Sequence, residues 1–303
     1  MKVLHYLSSA FSVTQHVPVV SRVVDLSTSA LAGLMRCFSG GWIAGGAEKR
    51  QRPSKPIMLF EFEGCPFCRR VRETLSVLAL DVTVYPCPKE TMKGAISTEG
   101  TPGNSRFRPE VLKHGGKQLF PYLVDENTGV HMYESAEINK YLWKTYGADT
   151  TVPWTYWLGE KVFKVTMPFP TLFRPLLTHG MLRVPSKAPK EPLELWGCEG
   201  SPFVRLVREA LCCLELPYVY RQVPHGELLN RGEFREKFGA QLSLPRQQLG
   251  AVQMPFLRDA NTGTDLLESA DIVEYLYKTY QDGPLSSETW LDFSFRKPSS
   301  KAD

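Results

Sequence analysis

The chain has 303 residues, which is enough for two domains of ordinary size, each with its own core. Hydrophobic residues make up 43% and charged residues 22%, a balance typical of soluble globular proteins. The net charge of +4 comes from scattered basic residues, which argues against binding of nucleic acid. The seven cysteines are odd in number and irregularly spaced, which argues against a secreted disulfide framework and favours a reducing compartment.

The N-terminal region, residues 1–52, is predicted to be a targeting or flexible segment. Its first 24 residues contain no acid and mix serine and threonine with apolar residues, which is typical of an organelle transit peptide. Because arginine is sparse, we expect a chloroplast location, with the mitochondrion or the cytoplasm as alternatives. Three apolar runs are too polar or too interrupted by charge to predict a membrane span: residues 3–21, 26–47 and 151–183.

An internal repeat is the strongest feature of the sequence. EGCPFCRRVRETL at residues 63–75 returns as EGSPFVRLVREAL at residues 199–211, with nine of 13 positions identical. Residues 120–147 and 254–281 are identical at 15 of 28 positions. The two offsets, 136 and 134 residues, differ by only two, so the chain contains the same unit twice.

In the first copy the pattern predicts the order β-α-β-α-β-β-α. Residues 56–62 predict a short buried strand. A helix follows, because Phe67, Val71, Leu75 and Leu78 recur at helical spacing. The remaining predicted elements are a strand at residues 82–88, a helix at residues 108–114, a hairpin that turns at residues 127–129 and a helix at residues 135–146.

The second copy repeats these signals. It has a strand at residues 192–198, a helix with Phe203, Val207, Leu211 and Leu214 at the same spacing, a strand at residues 218–224 and a helix at residues 227–238. We therefore predict two small α/β domains, at residues 53–147 and 192–281, with a C-terminal tail at residues 282–303.

A connector rich in proline and aromatic residues, residues 148–191, joins the two copies. Its aromatic side chains are expected to pack across the two domains rather than to bind a ligand, although peripheral contact with a membrane or a protein complex is an alternative. These side chains are Trp154, Trp157, Phe163, Phe169 and Phe173.

The element order, CPFC at the first helix, Pro121 opening the third strand and Glu134-Ser135 at the last helix together resemble the glutaredoxin fold. They resemble more closely the glutathione-binding N-terminal domain of glutathione S-transferases. The whole chain is similar to plant and algal organellar proteins that carry two such domains in tandem. The resemblance implies two tandem thioredoxin-like domains of α/β class, joined by the connector.

The two thiols of CPFC lie where a reactive cysteine is expected. Cys65 precedes Pro66 at a helix N-terminus, where free N–H groups and the helix dipole stabilise a thiolate. Arg69 and Arg70 are expected to add positive potential. Cys68, three positions along, can resolve a mixed disulfide, so we predict Cys65 as nucleophile and Cys68 as resolving thiol. The alternative is a pair of half-buried structural cysteines.

Glutathione is the co-substrate that the resemblance implies. It assigns Phe120 and Pro121 to a cis-proline site for the cysteinyl part of glutathione. It assigns Glu134 and Ser135 to the γ-glutamyl part. From the residues alone, an ordinary strand-opening proline and an N-capping serine remain alternatives. The matching positions in the second copy are Ser201, Met254, Pro255, Glu268 and Ser269.

Because Ser201 cannot form a mixed disulfide, thiol chemistry is expected in the first copy only. The predicted function is a glutathione-linked thiol–disulfide oxidoreductase that acts on protein disulfides or glutathionylated proteins. The alternatives are a non-catalytic glutathione-binding or docking adaptor, and a metal–sulfur cluster held between two chains through Cys65. No metal site is predicted, because a second cysteine or histidine pair at suitable spacing is not evident.

Full glutathione transferase activity is not expected. In transferases an all-helical domain follows this unit, and neither the 22 residues after residue 281 nor the 44-residue connector can supply it. The other cysteines of the two copies lie outside the motif positions, and we expect them to have packing roles. They are Cys87, Cys198, Cys212 and Cys213.

Overall fold

The computed structural model describes residues 18–46, 52–89, 105–166, 180–242 and 252–283, with side chains from residue 25 onward. Helix α1 (Pro18–Leu34) precedes the first repeat, and helix α5 (Trp154–Thr166) follows it. The first repeat contains β1 Ile57–Glu61, α2 Pro66–Val77, β2 Val82–Pro86, α3 Arg108–Gly115, β3 Tyr122–Asp125, β4 Val130–Met132 and α4 Ser135–Tyr146. The second contains β5 Leu193–Gly197, α6 Pro202–Cys213, β6 Tyr218–Gln222, α7 Leu229–Phe238, β7 Phe256–Asp259, β8 Thr264–Leu267 and α8 Ser269–Tyr280.

The fold is the predicted α/β class, with the order β-α-β-α-β-β-α in both repeats. Strand β1 pairs in parallel with β2 and antiparallel with β3, and β5 does the same with β6 and β7. Val71, Leu75 and Leu78 are buried as their spacing predicts. Phe67 is an exception because it is 42% exposed, and its ring contacts Phe163 instead of the core.

The two repeats share one eight-stranded sheet, with the order β4-β3-β1-β2-β6-β5-β7-β8. Strand β2 pairs antiparallel with β6, and Val84 lies opposite Tyr218 at one end of this junction. The pairing removes the exposed edge that β2 and β6 would each have in an isolated repeat. Because the strand order reads the same from both ends, the repeats are related by an approximate twofold axis between β2 and β6. A single core cluster includes Leu59 and Leu195, one from each repeat.

A closed ring of four buried charges lies at the junction. Arg72 Nε is 3.0 Å from Glu199 Oε2, and Glu199 Oε2 is 2.9 Å from Arg208 Nη1. Arg208 Nη2 is 3.0 Å from Glu63 Oε1, and Glu63 Oε2 is 3.1 Å from Arg72 Nη2. Burial opposes ionisation of Glu63, but Arg208 and Arg72 outweigh it and lower the pKa of Glu63 to about 2. The ring therefore stays charged, and each arginine binds one glutamate from each repeat.

The segment before the first repeat's strands, residues 40–44, lies between the two repeats and is called the first crossing segment. Its Gly40 carbonyl accepts a hydrogen bond of 2.7 Å from Ser76 Oγ of the same repeat. Its Gly41 carbonyl accepts one of 2.8 Å from the backbone N–H of His225 in the other repeat.

Residues 180–184 form the second crossing segment, with the same contacts in mirrored roles. The Gly180 carbonyl accepts from Cys212 Sγ at 3.4 Å, and the Met181 carbonyl accepts from the backbone N–H of Lys89 at 2.7 Å. The approximate twofold axis therefore relates more of the chain than the repeat that the sequence reveals, and part of the predicted connector belongs to the second repeat.

The N-terminal region differs from the predicted targeting or flexible segment over residues 18–46. Ser29 Oγ of α1 donates to the carbonyl of Pro202 at the start of α6, at 2.9 Å. The buried Arg36 binds the carboxylate of Glu73 in α2, with an Nη2–Oε2 distance of 2.6 Å. This region thus contacts both repeats. The first 17 residues, on which the transit-peptide prediction depends most, lie outside the described residues.

The expectation that the connector's aromatics pack across the domains is wrong for two of them. Trp154 and Trp157 on α5 are 71% and 55% exposed, whereas Phe163 on the opposite face is buried. Phe169 and Phe173 lie outside the described residues. None of the helices described is long and apolar enough to cross a membrane.

Substitution of Arg72 by methionine is expected to destabilise the protein strongly. It leaves the buried Glu61, Glu63 and Glu199 each without one arginine partner, and breaking a buried ion pair costs about 3–5 kcal/mol. The free energy of unfolding from urea titration should fall by this amount. The twofold-related variant Arg208→Met should lose a similar amount.

The control is Arg70→Met, because Arg70 pairs with Glu160 at a partly exposed site on α2. That loss should be about 1 kcal/mol. Equal losses for Arg70→Met and Arg72→Met would show that the buried ring contributes no more to the free energy of unfolding than the partly exposed Arg70–Glu160 pair.

Candidate active site

Cys65 is the N-cap residue of α2. Its backbone is extended (φ −87°, ψ 122°), and Pro66 occupies the first helical turn. Its Sγ accepts a hydrogen bond from the backbone N–H of Cys68 at 3.3 Å. The sulfur therefore takes the capping place usually held by a serine or aspartate oxygen, next to the positive end of the helix.

The two thiols of the motif have opposite pKa shifts. Burial raises the pKa of Cys65, but hydrogen bonds from the side chain and backbone of Cys68 and from the Phe67 backbone outweigh burial, so this pKa lies below its usual range. Burial, followed by the hydrogen bond with Cys65, raises the pKa of Cys68 well above its usual range. Cys65 is therefore the more readily ionised of the two thiols, which is the polarity that a nucleophile and a resolving thiol require.

The predicted electrostatic role of Arg69 and Arg70 is not what the structure shows. Arg69 is buried and bonds Glu73, and the side chain of Arg70 bonds Glu160. Each of these cations is already paired with a carboxylate. The hydrogen bonds at the helix N-terminus, rather than the two arginines, therefore lower the pKa of Cys65.

Lys89 and Arg108 are two cations near the site that sequence reasoning missed. Lys89 interacts electrostatically with Cys65, and its Nζ lies 5.5 Å from the centroid of the Phe62 ring. The guanidinium of Arg108 lies 4.8 Å from the centroid of the Phe120 ring and donates to the Cys87 carbonyl at 2.8 Å. The position of Lys89 in YPCPK, just after β2, could have indicated a cation near the site. No feature of the sequence around Arg108 could have done so.

The CPFC thiols lie in a small buried cluster of their own. Cys65 is 5% exposed and Cys68 is fully buried, and both pack with Phe62. Phe120 packs against the cluster, with its ring 6.1 Å from that of Phe62. The fifth member of the cluster is Cys212 from α6 of the other repeat, a residue that we expected only to pack.

Among the residues of the predicted glutathione site, Phe120 packs against the cluster that contains these thiols. The Phe120–Pro121 peptide bond is cis and leads into β3. Glu134 and Ser135 lie at the start of α4, which packs against α2. Ser135 is buried, whereas Glu134 is exposed and has a left-handed backbone (φ 68°), a region that costs energy for any residue other than glycine.

The second repeat has the same frame without the thiols. Ser201 caps α6 with an extended backbone (φ −82°, ψ 122°), and its Oγ accepts from Val204 N at 3.4 Å. The Met254–Pro255 bond is cis, Glu268 is also left-handed (φ 68°), and Ser269 is buried. The site residues therefore lie at matching places in both repeats.

The remaining cysteines of the two copies differ in their surroundings. Cys87 is buried, and burial raises its pKa well above the usual range. Cys198 lies one residue after β5, and burial raises its pKa as well, although Arg231 and Arg208 oppose this. The pKa of each of these two thiols is thus shifted in the direction opposite to that of Cys65. Within the described ranges, no group of three or more His, Cys, Asp or Glu side chains could hold a metal ion.

Fold and site together define a thioredoxin-like protein with one thiol site and one serine site in tandem units. Residues 59–150 and 195–284 each match the family described as glutathione S-transferase, N-terminal domain. These matches cover more than half of the chain, which therefore belongs to this family as a tandem of two such domains. Family membership supports a glutathione-related function on a thioredoxin-like fold.

A glutathione transferase of Bombyx mori is similar among solved structures, with 30% sequence identity and a TM-score of 0.25. The similarity covers 33% of this chain and 39% of the transferase, so the chain spans well under half of that protein. Comparison with curated proteins gives no match.

Glu61→Gln is expected to lower the pKa of Cys65. Burial raises the pKa of Glu61 to about 7, and its carboxylate in turn raises the pKa of Cys65. Below pH 7 Glu61 is mostly neutral, and above it the carboxylate opposes the thiolate. The titration curve of Cys65, followed by thiolate absorbance, should therefore extend over a broad pH range towards high pH in the wild type. In the variant its midpoint should lie at lower pH, and the curve should be steeper.

Glu160→Gln is the matched control, because Glu160 bonds Arg70 on α2, the helix that Cys65 caps. Its Cys65 titration should match that of the wild type. A titration of Glu61→Gln that coincides with the wild type would rule out an effect of Glu61 on the nucleophile.

Proposed function

We propose that this protein is a glutathione-dependent thiol–disulfide oxidoreductase with Cys65 as the nucleophile. The carrying observation is the pair of opposite pKa shifts at one helix N-terminus, with Cys65 lowered and Cys68 raised. Such a pair makes Cys65 the thiol that ionises more readily for attack and keeps its neighbour Cys68 protonated in reserve.

The reaction starts with attack of the Cys65 thiolate on the glutathionyl sulfur of a protein–glutathione mixed disulfide. The S–S bond breaks, the protein thiolate leaves and takes up a proton, and Cys65 becomes glutathionylated. A second glutathione thiolate then attacks this mixed disulfide, which forms glutathione disulfide and returns Cys65 as the thiolate. With protein disulfides, Cys68 can instead displace the bound thiol and form a Cys65–Cys68 disulfide.

The start of α4 supports binding of the γ-glutamyl part of glutathione. The helix N-terminus with buried Ser135 offers N–H groups to a carboxylate, while exposed Glu134 can meet an ammonium group. The left-handed backbone of Glu134 is consistent with a constrained binding position. In the second repeat, Glu268 and Ser269 have the same geometry, and we propose a role in binding glutathione without thiol exchange.

A docking role is the second candidate function, favoured by the outer face of α5. Exposed Trp154, Trp157 and Val165 share this face with exposed Lys161 and Lys164. Tryptophan is enriched at protein interfaces, and tryptophan together with lysine is found on helices that bind a membrane surface. Such docking is compatible with redox activity in the same chain, and a chloroplast location remains a prediction from the N-terminal sequence.

Cys65→Ser is expected to abolish glutathione-dependent reduction of a glutathionylated peptide. Serine cannot form the mixed disulfide, but it can cap the helix, as Ser201 does in the second repeat with nearly the same backbone angles. The unfolding free energy should therefore change by no more than about 1 kcal/mol. The assay couples formation of glutathione disulfide to oxidation of NADPH by glutathione reductase.

Cys68→Val is the companion variant, because Val204 occupies this place in the second repeat. It should still reduce the glutathionylated peptide but should lose reduction of protein disulfides. Undiminished peptide reduction by Cys65→Ser would contradict the proposal and would favour the docking role.

Glu134→Gln is expected to raise the KM for glutathione several-fold and to leave the pKa of Cys65 unchanged. The variant removes the charge that faces the glutathione ammonium group, but not the hydrogen bonds at Cys65. The control Glu268→Gln makes the same change in the second repeat and should leave the KM at the thiol site as it is. Equal effects of the two variants would place glutathione elsewhere.

A further inference from the structure

The buried thiol cluster contains a cysteine from each side of the molecule. Cys65 and Cys68 belong to the first repeat, and Cys212, near the end of α6, belongs to the second. The neighbouring Cys213 lies in the main core cluster instead. Only one of the two adjacent cysteines therefore joins the CPFC thiols.

Hydrogen bonds hold Cys212 against the loop that carries Cys65. The backbone N–H of Glu63 donates to Cys212 Sγ at 3.3 Å, and Cys212 Sγ donates to the Gly180 carbonyl at 3.4 Å. The same Gly180 carbonyl accepts from the backbone N–H of Gly64, at 3.1 Å. Cys212 thus lies beside residues 63 and 64, directly before the nucleophile.

The twofold-related place in the other repeat is occupied by Ser76. Its Oγ donates to the Gly40 carbonyl at 2.7 Å and accepts from the Glu199 backbone N–H at 3.2 Å. A hydroxyl therefore satisfies the same two backbone groups. Packing and hydrogen bonding alone do not require a thiol at position 212.

At three twofold-related positions, every cysteine of one site is replaced by a residue without a thiol in the other site. The thiol site has Cys65, Cys68 and Cys212, and the serine site has Ser201, Val204 and Ser76. The third position in each site comes from the other repeat. Cys212 is thus the one thiol that the second repeat contributes to the thiol cluster of the first repeat. Cysteine stands at this position in the site that has the CPFC thiols, and serine stands there in the site that lacks them.

Building on the proposed function, we infer that Cys212 is a third redox thiol of the active site, which exchanges with Cys68 so that oxidation ends in a Cys68–Cys212 disulfide between the repeats. Attack of Cys65 on glutathione disulfide releases one glutathione, and attack of Cys68 on the Cys65 mixed disulfide releases a second. Cys212 then attacks the Cys68 sulfur of the Cys65–Cys68 disulfide, and Cys65 leaves as the thiolate. The two protons lost by Cys68 and Cys212 are carried away on the two glutathione thiols.

The direction of the last exchange follows from the thiols themselves. A thiol with a low pKa is the better leaving group, and the pKa of Cys65 is lowered. Burial raises the pKa of both Cys68 and Cys212, so their thiolates are poor leaving groups and a disulfide between them resists attack. The Cys65 thiolate is thereby regenerated in an oxidised protein whose two repeats are covalently joined.

The test is a peptide map of the full chain. Reduced protein is treated with glutathione disulfide, blocked with an alkylating agent and digested with trypsin without reduction. The peptide that ends at Arg69 carries Cys65 and Cys68, and residues 209–221 carry Cys212 and Cys213. We expect these two peptides to be linked in the wild type, with fragmentation placing the link at Cys68 and Cys212.

Two variants taken from the first repeat are the controls. Cys212→Ser copies Ser76 and should lose the link, leaving the disulfide between Cys65 and Cys68. Cys213→Val copies Val77 at the next position and should keep the link. Oxidised wild type should also resist urea better than oxidised Cys212→Ser, because the link constrains the unfolded chain. The difference should be larger than that between the two reduced proteins, whereas a purely structural role of Cys212 would give the same difference in both states.

A parallel sample treated with the thiol oxidant diamide separates the two proposals. If glutathione disulfide leaves Cys65, Cys68 and Cys212 all reduced, the oxidoreductase function is wrong, while the diamide sample still reports whether Cys68 and Cys212 can join. Oxidised wild type with only a Cys65–Cys68 disulfide in both samples would overturn the inference, as would a link that persists in Cys212→Ser.

Discussion

The exchange of buried charges between the repeats is the constraint on which both sites depend. Glu63 and Glu199 are held by Arg72 and Arg208, and each glutamate lies two residues before a helix-capping residue, Cys65 or Ser201. The ring therefore fixes the approach of each loop to its helix N-terminus. Since buried charges cost free energy unless they are paired, the ring also favours the relative placement of the repeats in which each of the four charges faces two of the opposite sign.

The helix N-terminus turns this placement into chemistry. In both repeats the same extended capping residue accepts a backbone N–H three positions along, with Cys65 in one and Ser201 in the other. An oxygen at that position caps the helix, whereas a sulfur is itself stabilised as the thiolate. At the capping position the two sites thus differ in one atom type on a common frame, and the nearby Arg69 and Arg70 are paired with carboxylates.

The sequence predicted those parts of the structure whose signals are local. Helical spacing and the turn at residues 127–129 gave the elements of each repeat, and the N-terminal helical position of Cys65 was evident from CPFC. Contacts between the repeats were not predictable, because their partners are more than a hundred residues apart and Arg72 on a helix resembles a solvent-exposed charge. The left-handed backbone of Glu134 and the packing of Arg36 between elements left no mark in the pattern.

Each site is therefore a product of the whole chain rather than of one repeat. The loop before Cys65 depends on the second crossing segment through Gly180, and the loop before Ser201 packs against the first through Gly41. An isolated repeat would expose the edge of β2 or β6 and leave each of its two members of the charge ring with one ring partner instead of two. The repeat that has Ser201 and Val204 in place of the CPFC thiols is therefore still needed for the thiol site, because its residues Gly180 and Cys212 contact the loop before Cys65.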